Sequence, residues 1–256
     1  ENNGDVLISR DPALNADRQI EEIRALIAEG VRVLFINPVD GTRMNDVLRE
    51  ARAAGVIVIA IDTNIAAGSD VAATVVSDNH NAGRQCAAHL LAHANGARIA
   101  LLKHAEARSA EQRIEGFRAE IAQHPSFQIV AEADCSGQLE RAMPAMEKML
   151  MEHPEIDTVM ALNDPAALGA IAALQSAGRM PGDTMVYGVD GVPESRELIR
   201  TGWMTATAVQ SPRGIGRMAA EEAYRILSGE SAADIDLPTR LLTRANMDEN
   251  DDGGWD

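Results

Sequence analysis

Short apolar runs alternate along this chain with longer stretches in which apolar residues recur every three or four positions. The first run is Val6-Leu7-Ile8, read as a strand. Residues 16–29 place Ile20, Ile23, Leu26 and Ile27 on one helical face, and Gly30 follows as a stop. Residues 31–36 are almost continuously apolar, the pattern of a strand covered on both faces. A helix is predicted at 44–54 and strands at 56–61 and 72–76. The rhythm then repeats with helices at 80–94, 110–123, 139–151, 165–177, 193–201 and 216–227, and strands at 99–102, 128–131, 158–162, 185–189 and 204–209. Strands alternating with helices of this length predict βαβ units, right-handed crossovers and parallel sheets.

Polar residues gather where these strands end. Ile36 is followed by Asn37-Pro38-Val39-Asp40, Ile61 by Asp62, Val76 by Ser77-Asp78-Asn79, Leu162 by Asn163-Asp164, Val189 by Asp190 and Val209 by Gln210. The carboxyl ends of parallel strands form the ligand crevice of an open α/β sheet. Asn, Asp and Gln there offer planar sets of donors and acceptors suited to vicinal hydroxyls. Any one of these residues could serve as a turn former or helix cap. Six such strand ends taken together point to a polar ligand.

Composition narrows the function classes. The 256 residues are long enough to bury one large core or two modest ones, and no apolar run reaches the roughly 20 residues that span a bilayer. A formal net charge of -16 argues against nucleic acid and membrane insertion. Cys86 falls in a helical pattern and Cys135 just after a strand, with no spacing that suggests a disulfide or a metal knuckle. No secretory leader is visible, and residues 248–256 read as an acidic, Gly-rich tail.

At this point the chain resembles the ribose-type periplasmic sugar-binding proteins. The likeness is carried by Leu34-Phe35-Ile36-Asn37-Pro38-Val39-Asp40, Val58-Ile59-Ala60-Ile61-Asp62, Val76-Ser77-Asp78-Asn79-His80-Asn81-Ala82-Gly83 and Arg113-Ile114-Glu115-Gly116-Phe117. It continues through Ala161-Leu162-Asn163-Asp164-Pro165, Tyr187-Gly188-Val189-Asp190-Gly191 and Ala206-Thr207-Ala208-Val209-Gln210, in the family order. The resemblance implies an α/β fold of two similar doubly wound parallel-sheet lobes joined by three crossings. The lobes are expected at 1–77 plus 211–236 and at 78–210 plus 237–256, with hinges near 77–79, 210–212 and 235–238. It implies a solute-binding protein of an ABC importer in the periplasm, its signal peptide removed. The protein would hold a monosaccharide, sugar alcohol or similar polyol and perform no chemistry on it. Ligand contacts carried over position by position are Asn37, Asp62, Ser77, His104, Arg113, Asn163, Asp190 and Gln210. No cofactor or metal is expected. The expected partners are the sugar, a permease and a chemoreceptor. The family has a further strand and helix ahead of the segment that starts here, so the first lobe is expected to lack an interior strand. The alternative is the effector-binding core of a lac-repressor-type regulator, which shares the fold.

Three motifs are set aside. Gly214-Ile215-Gly216-Arg217-Met218-Ala219 matches a dinucleotide fingerprint as a string, but Ser211-Pro212-Arg213 separate it from the strand, so packing glycines are expected. His89 and His93 lack the Glu of a metalloprotease helix and read as a solvated or packed pair. Asp248 to Gly253 mimics the opening of a calcium loop with no Glu to close it.

Overall fold

A computed structural model describes residues 4–65 and 70–247, so the calcium-loop mimic and the tail lie outside the described residues. Chain order begins α1 (Ala16–Ala28), β1 (Val33–Ile36), α2 (Asn45–Ala53), β2 (Ile57–Ile61), β3 (Ala73–Ser77) and α3 (Asn79–His93). It continues β4 (Ala97–Lys103), α4 (Arg108–Ile121), β5 (Phe127–Asp134), α5 (Leu139–Glu152), β6 (Thr158–Ala161) and α6 (Asp164–Ser176). The last elements are β7 (Met185–Asp190), α7 (Pro193–Thr201), β8 (Ala206–Val209), α8 (Pro212–Leu227), β9 (Ile235–Leu237) and β10 (Arg240–Thr243).

The strands form two sheets. One is parallel throughout, in the order β1-β2-β3-β9. The other has the order β10-β8-β7-β6-β4-β5, parallel except where β10 runs against β8. The chain passes between the sheets three times, at Asp78, between β8 and α8, and between β9 and β10. The Asp78 amide donates to the Leu237 carbonyl at 2.8 Å, which ties the first crossing to the third.

Each sheet is covered on both faces, as near-continuous apolar strands require. In the first lobe Ile23, Leu26, Val47 and Leu48 of α1 and α2 pack on Leu34 and Val58. Ile215, Ala219 and Ala223 of α8 pack on Ile59 and Val75 from the other side. In the second lobe Met146, Leu150, Ile171 and Leu174 cover one face of the strands. Leu90, Phe117 and Ile121 cover the other, over Ile99, Leu101 and Met160. Helices α3 and α4 cross backbone to backbone. A β-carbon on Gly83 would stand 1.7 Å from the Arg113 carbonyl oxygen, and one on Gly116 would stand 2.0 Å from that of His80.

Four local expectations change. Val6-Leu7-Ile8 is not a strand, and Val6 and Leu7 are exposed. A cavity of about 930 Å³ separates this segment from the edge of β1, so its amides have no ladder to join. Helix α8 begins four residues before the predicted 216. Ser211 accepts from the Gly214 amide at 3.0 Å, and Pro212 fills the first helical position, where its missing N–H costs nothing. Gly214 is therefore inside a helix, and a β-carbon on it would crowd Ser211 Oγ at 2.6 Å and Leu237 Cδ2 at 2.9 Å. Finally, within the segment 235–238 expected near a hinge, 235–237 is paired as β9 with β3, which leaves the third crossing at 238–239, and β10 was not predicted at all.

Candidate functional site

The strands of both sheets deliver their carboxyl ends toward one junction. Asn37 follows β1, Asp62 follows β2 and Ser77 ends β3. Asp190 ends β7, with Asn163 just beyond β6 and Gln210 just beyond β8. Across the junction Thr63 Oγ1 and Ser109 Oγ are 3.0 Å apart, both side chains buried, which joins the turn after β2 to the start of α4. Asp62 lies close enough to Asp190 for its charge to raise the Asp190 carboxyl.

On the first-lobe side, Asn37 Nδ2 donates to Asp62 Oδ2 at 3.0 Å. Asn37 is held from behind by Gln19 of α1, whose amide donates to the Asn37 carbonyl at 2.8 Å and accepts from Val39 N at 2.9 Å. Asp62 has φ +65 in the left-handed region. Its backbone turns immediately after the ladder bond from its amide to the Val75 carbonyl.

On the second-lobe side the centre is Arg113, which is 5% exposed. Its Nε donates to Asn79 Oδ1 at 2.8 Å. Its Nη1 donates to the Leu162 carbonyl at 2.9 Å and reaches Asp190 Oδ1 at 3.4 Å. Gln210 Nε2 donates to the same Asp190 oxygen at 2.6 Å. Burial pushes the Asp190 carboxyl up to about 6, against the pull of Arg113 and Gln210, and Asp62 adds to the rise. Ser77 Oγ, Asn79 Nδ2 and Gln210 Oε1 are buried with no hydrogen-bond partner, and all three sit at the crossings. Such atoms carry a cost of roughly 1–3 kcal/mol each unless a partner meets them. An Arg, two carboxylates and these groups form a polar cluster whose donors and acceptors match the hydrogen-bonding needs of hydroxyl groups.

Two of the predicted contacts stand apart from this cluster. Asn163 spends its carbonyl oxygen as the cap of α6, accepting from Ala166 N at 3.0 Å, and its amide donates to the Gly137 carbonyl at 3.1 Å. One amide hydrogen remains for a ligand. His104 makes no hydrogen bond with the cluster among the described residues, and its near charge is Asp134.

Sequence reasoning passed over Asn79, Asp164, Thr63 and Ser109. Asn79 and Asp164 stood in the quoted strand-end strings and could have been found by taking the second polar residue as well as the first. Thr63 and Ser109 carry no local signal, because their meeting depends on the two lobes. His89 and His93 stack with ring centres 3.9 Å apart, and His89 Nδ1 sits 3.0 Å from the Tyr187 hydroxyl, a packed arrangement. Burial moves the His89 imidazole below its ordinary range. Cys86 and Cys135 are buried free thiols, and burial raises both.

The family model described as the periplasmic binding protein domain matches residues 1–231. The ribose import binding protein RbsB of Salmonella typhimurium (strain LT2) is 32% identical over 226 residues, covering 88% of this chain and 75% of that protein. A solved ABC transporter solute-binding protein from Mycobacterium smegmatis with bound glycerol superposes with TM-score 0.89 at 33% identity, over 96% of this chain and 86% of that one. One from Bacillus halodurans with bound myo-inositol superposes with TM-score 0.86 at 27% identity, over 93% and 84%.

Proposed function

The chain belongs to the periplasmic binding protein domain family, and we propose that it is the extracytoplasmic solute-binding component of an ABC importer. Its ligand is a monosaccharide, sugar alcohol or similar polyol gripped between the lobes. Among the described residues the lobes are taken as 4–77 with 211–237 and 78–210 with 238–247, Leu237 going with the first sheet through its pairing with Ser77. The observation that carries the reading is the meeting of strand ends from both sheets around Arg113, Asp190 and Asp62.

The chemistry follows from the donor and acceptor inventory. Asp62 and Asp190 accept from ligand hydroxyls, and Arg113, fixed by Asn79 and the Leu162 carbonyl, donates to a ring oxygen or hydroxyl. Asn37, Ser77 and Gln210 complete the set, while His104 and Asn163 touch the ligand at its margin. Charge-assisted bonds give most of the strength, and hydroxyls that leave a buried partner unmet are rejected at roughly 1–3 kcal/mol each. Among the described residues no helix is long and apolar enough to cross a membrane. As in the ABC-importer relatives, the partner that would receive the ligand is a permease, and a chemoreceptor could read the same form.

The test is a thermal-shift panel of pentoses, hexoses, inositols and small sugar acids, with each sugar recovered and analysed afterwards. A site-specific ligand at a hundred times its dissociation constant adds about 2.7 kcal/mol of stability. The reading expects a clear upward shift with at least one neutral polyol, recovered unchanged. A panel that shifts nothing, or a sugar recovered chemically altered, contradicts it.

A further inference from the structure

We propose that Asp164 is a positioning residue for this site, holding the turn that aims Asp190 and giving ligand capture an acid limit; the inference rests on the polyol-binding reading above. Asp164 is the first residue of α6 and is fully buried. Its plain role would be to favour the helix N-terminus. That role is already filled, since Asn163 supplies the cap. The carboxylate reaches out of its own helix instead. Oδ2 accepts from Gly191 N at 2.8 Å and Val192 N at 3.0 Å, and Oδ1 accepts from Thr207 Oγ1 at 2.7 Å. These three donors belong to the turn after β7 and to β8. Strand β7 makes room for the group, because a β-carbon on Gly188 would stand 2.3 Å from Asp164 Oδ1.

The turn it holds is one the chain would not adopt alone. Asp190 has φ +132 and Gly191 φ +81. A non-glycine residue keeps such a φ only when its surroundings enforce it. In that conformation Asp190 presents its carboxylate to Arg113 and Gln210. The three bonds suit an ionised Asp164, which is an acceptor only. A protonated carboxyl must turn a donor toward one of these partners, and the turn loosens.

The charges around the pair are known from each side. Arg113 of α4 and Asp62 of the first lobe face Asp190, and Asp164 and Asp190 face each other. Cys86 of α3 faces Asp164 as a thiol that burial keeps protonated. Burial and the Asp190 charge push the Asp164 carboxyl up to about 7. The pair shares its protons, so affinity should fall as pH drops and the two buried carboxyls lose their charge.

The experiment is calorimetric titration with D-ribose, allose, arabinose and myo-inositol, each between pH 8 and 5.5, on the wild type, Asp164→Asn and Thr207→Val. Circular dichroism and the unliganded unfolding midpoint check the fold of each variant. The wild type should lose affinity from pH 8 downward. Asp164→Asn should bind about tenfold more weakly at pH 8, the difference between charged and neutral acceptors. It should then stay flat to about pH 6.5. Thr207→Val leaves every ionisable group in place but removes a bond that holds the Asp164 carboxyl down, so it should weaken binding several-fold and move the fall in affinity to higher pH. Wild-type affinity and pH profile in Asp164→Asn would overturn the inference while leaving the polyol reading intact. Failure of the wild type to bind any of the four sugars would overturn both.

Discussion

Replacing Thr63 by Val should loosen the closed clamp without touching the ligand. Valine matches threonine in shape and lacks the hydroxyl that meets Ser109 Oγ at 3.0 Å across the lobes. Both side chains are buried in the closed form, Thr63 at 5% and Ser109 at 6% exposure. When the lobes part, water can reach the serine. The penalty of an unmet hydroxyl therefore falls on the closed state alone, about 1–2 kcal/mol. That lowers the closing equilibrium roughly 5- to 30-fold, and the dissociation constant rises by the same factor. Encounter takes place in the open form, so the association rate should hold and the dissociation rate should carry the change. Calorimetry gives the first quantity and stopped-flow displacement the second. Adding Ser109→Ala to Thr63→Val should recover part of the loss, since the orphaned partner is then gone. A dissociation constant changed less than twofold, or a slowed association with unchanged dissociation, would refute the reasoning.

Other expectations follow from the same geometry. Burial lifts the carboxyls of Asp164 and Asp190 from an ordinary 3.8 to about 7 and about 6. The folded protein thus holds protons that the unfolded chain releases, and this pair's contribution to stability falls as pH rises through 6 and 7. The unliganded midpoint should rise more on going from pH 8 to 5.5 in the wild type than in Asp164→Asn, and equal slopes in differential scanning calorimetry would count against the pair. Gly83→Ala should cost about 1–3 kcal/mol or more, because the new methyl meets the Arg113 carbonyl at 1.7 Å and must push α4 away. Chemical unfolding should show that loss together with weakened polyol binding, since Arg113 moves with α4. Gly216→Ala, inside α8 where a β-carbon meets nothing within 4 Å, should leave binding unchanged and raise stability by about 0.5–1 kcal/mol.

Much of this architecture is legible in the chain because βαβ units write two periods into the sequence, and strands such as Ile57–Ile61 are apolar throughout when both faces are covered. Strands β9 and β10 escaped notice because Ile235-Asp236-Leu237 is only three residues long with a charged residue at its centre, and Arg240 to Thr243 lies at a sheet edge. The start of α8 is a matter of one serine cap rather than of periodicity. In the site, Asn37, Asp62, Asp190 and Gln210 are visible as polar residues where apolar strands stop. Arg113 is not, because it is one arginine within a helix, and only the resemblance singled it out. Asn163 shows the opposite case, a residue in the right place whose oxygen the helix has taken. Contacts such as Thr63 with Ser109 exist only between lobes, and no local pattern announces them.

The most direct measurement is a calorimetric titration of the polyol that gives the largest thermal shift, run on the wild type and on Asp190→Ala. Asp190 is the acceptor on which Arg113 and Gln210 converge. Removing it takes one carboxylate from the site and leaves both donors short of an acceptor, about 3 kcal/mol or more in all. The account expects one-to-one binding by the wild type and at least a hundredfold loss in the variant, with circular dichroism showing the variant still folded. Undiminished affinity in Asp190→Ala would place the ligand elsewhere and contradict it.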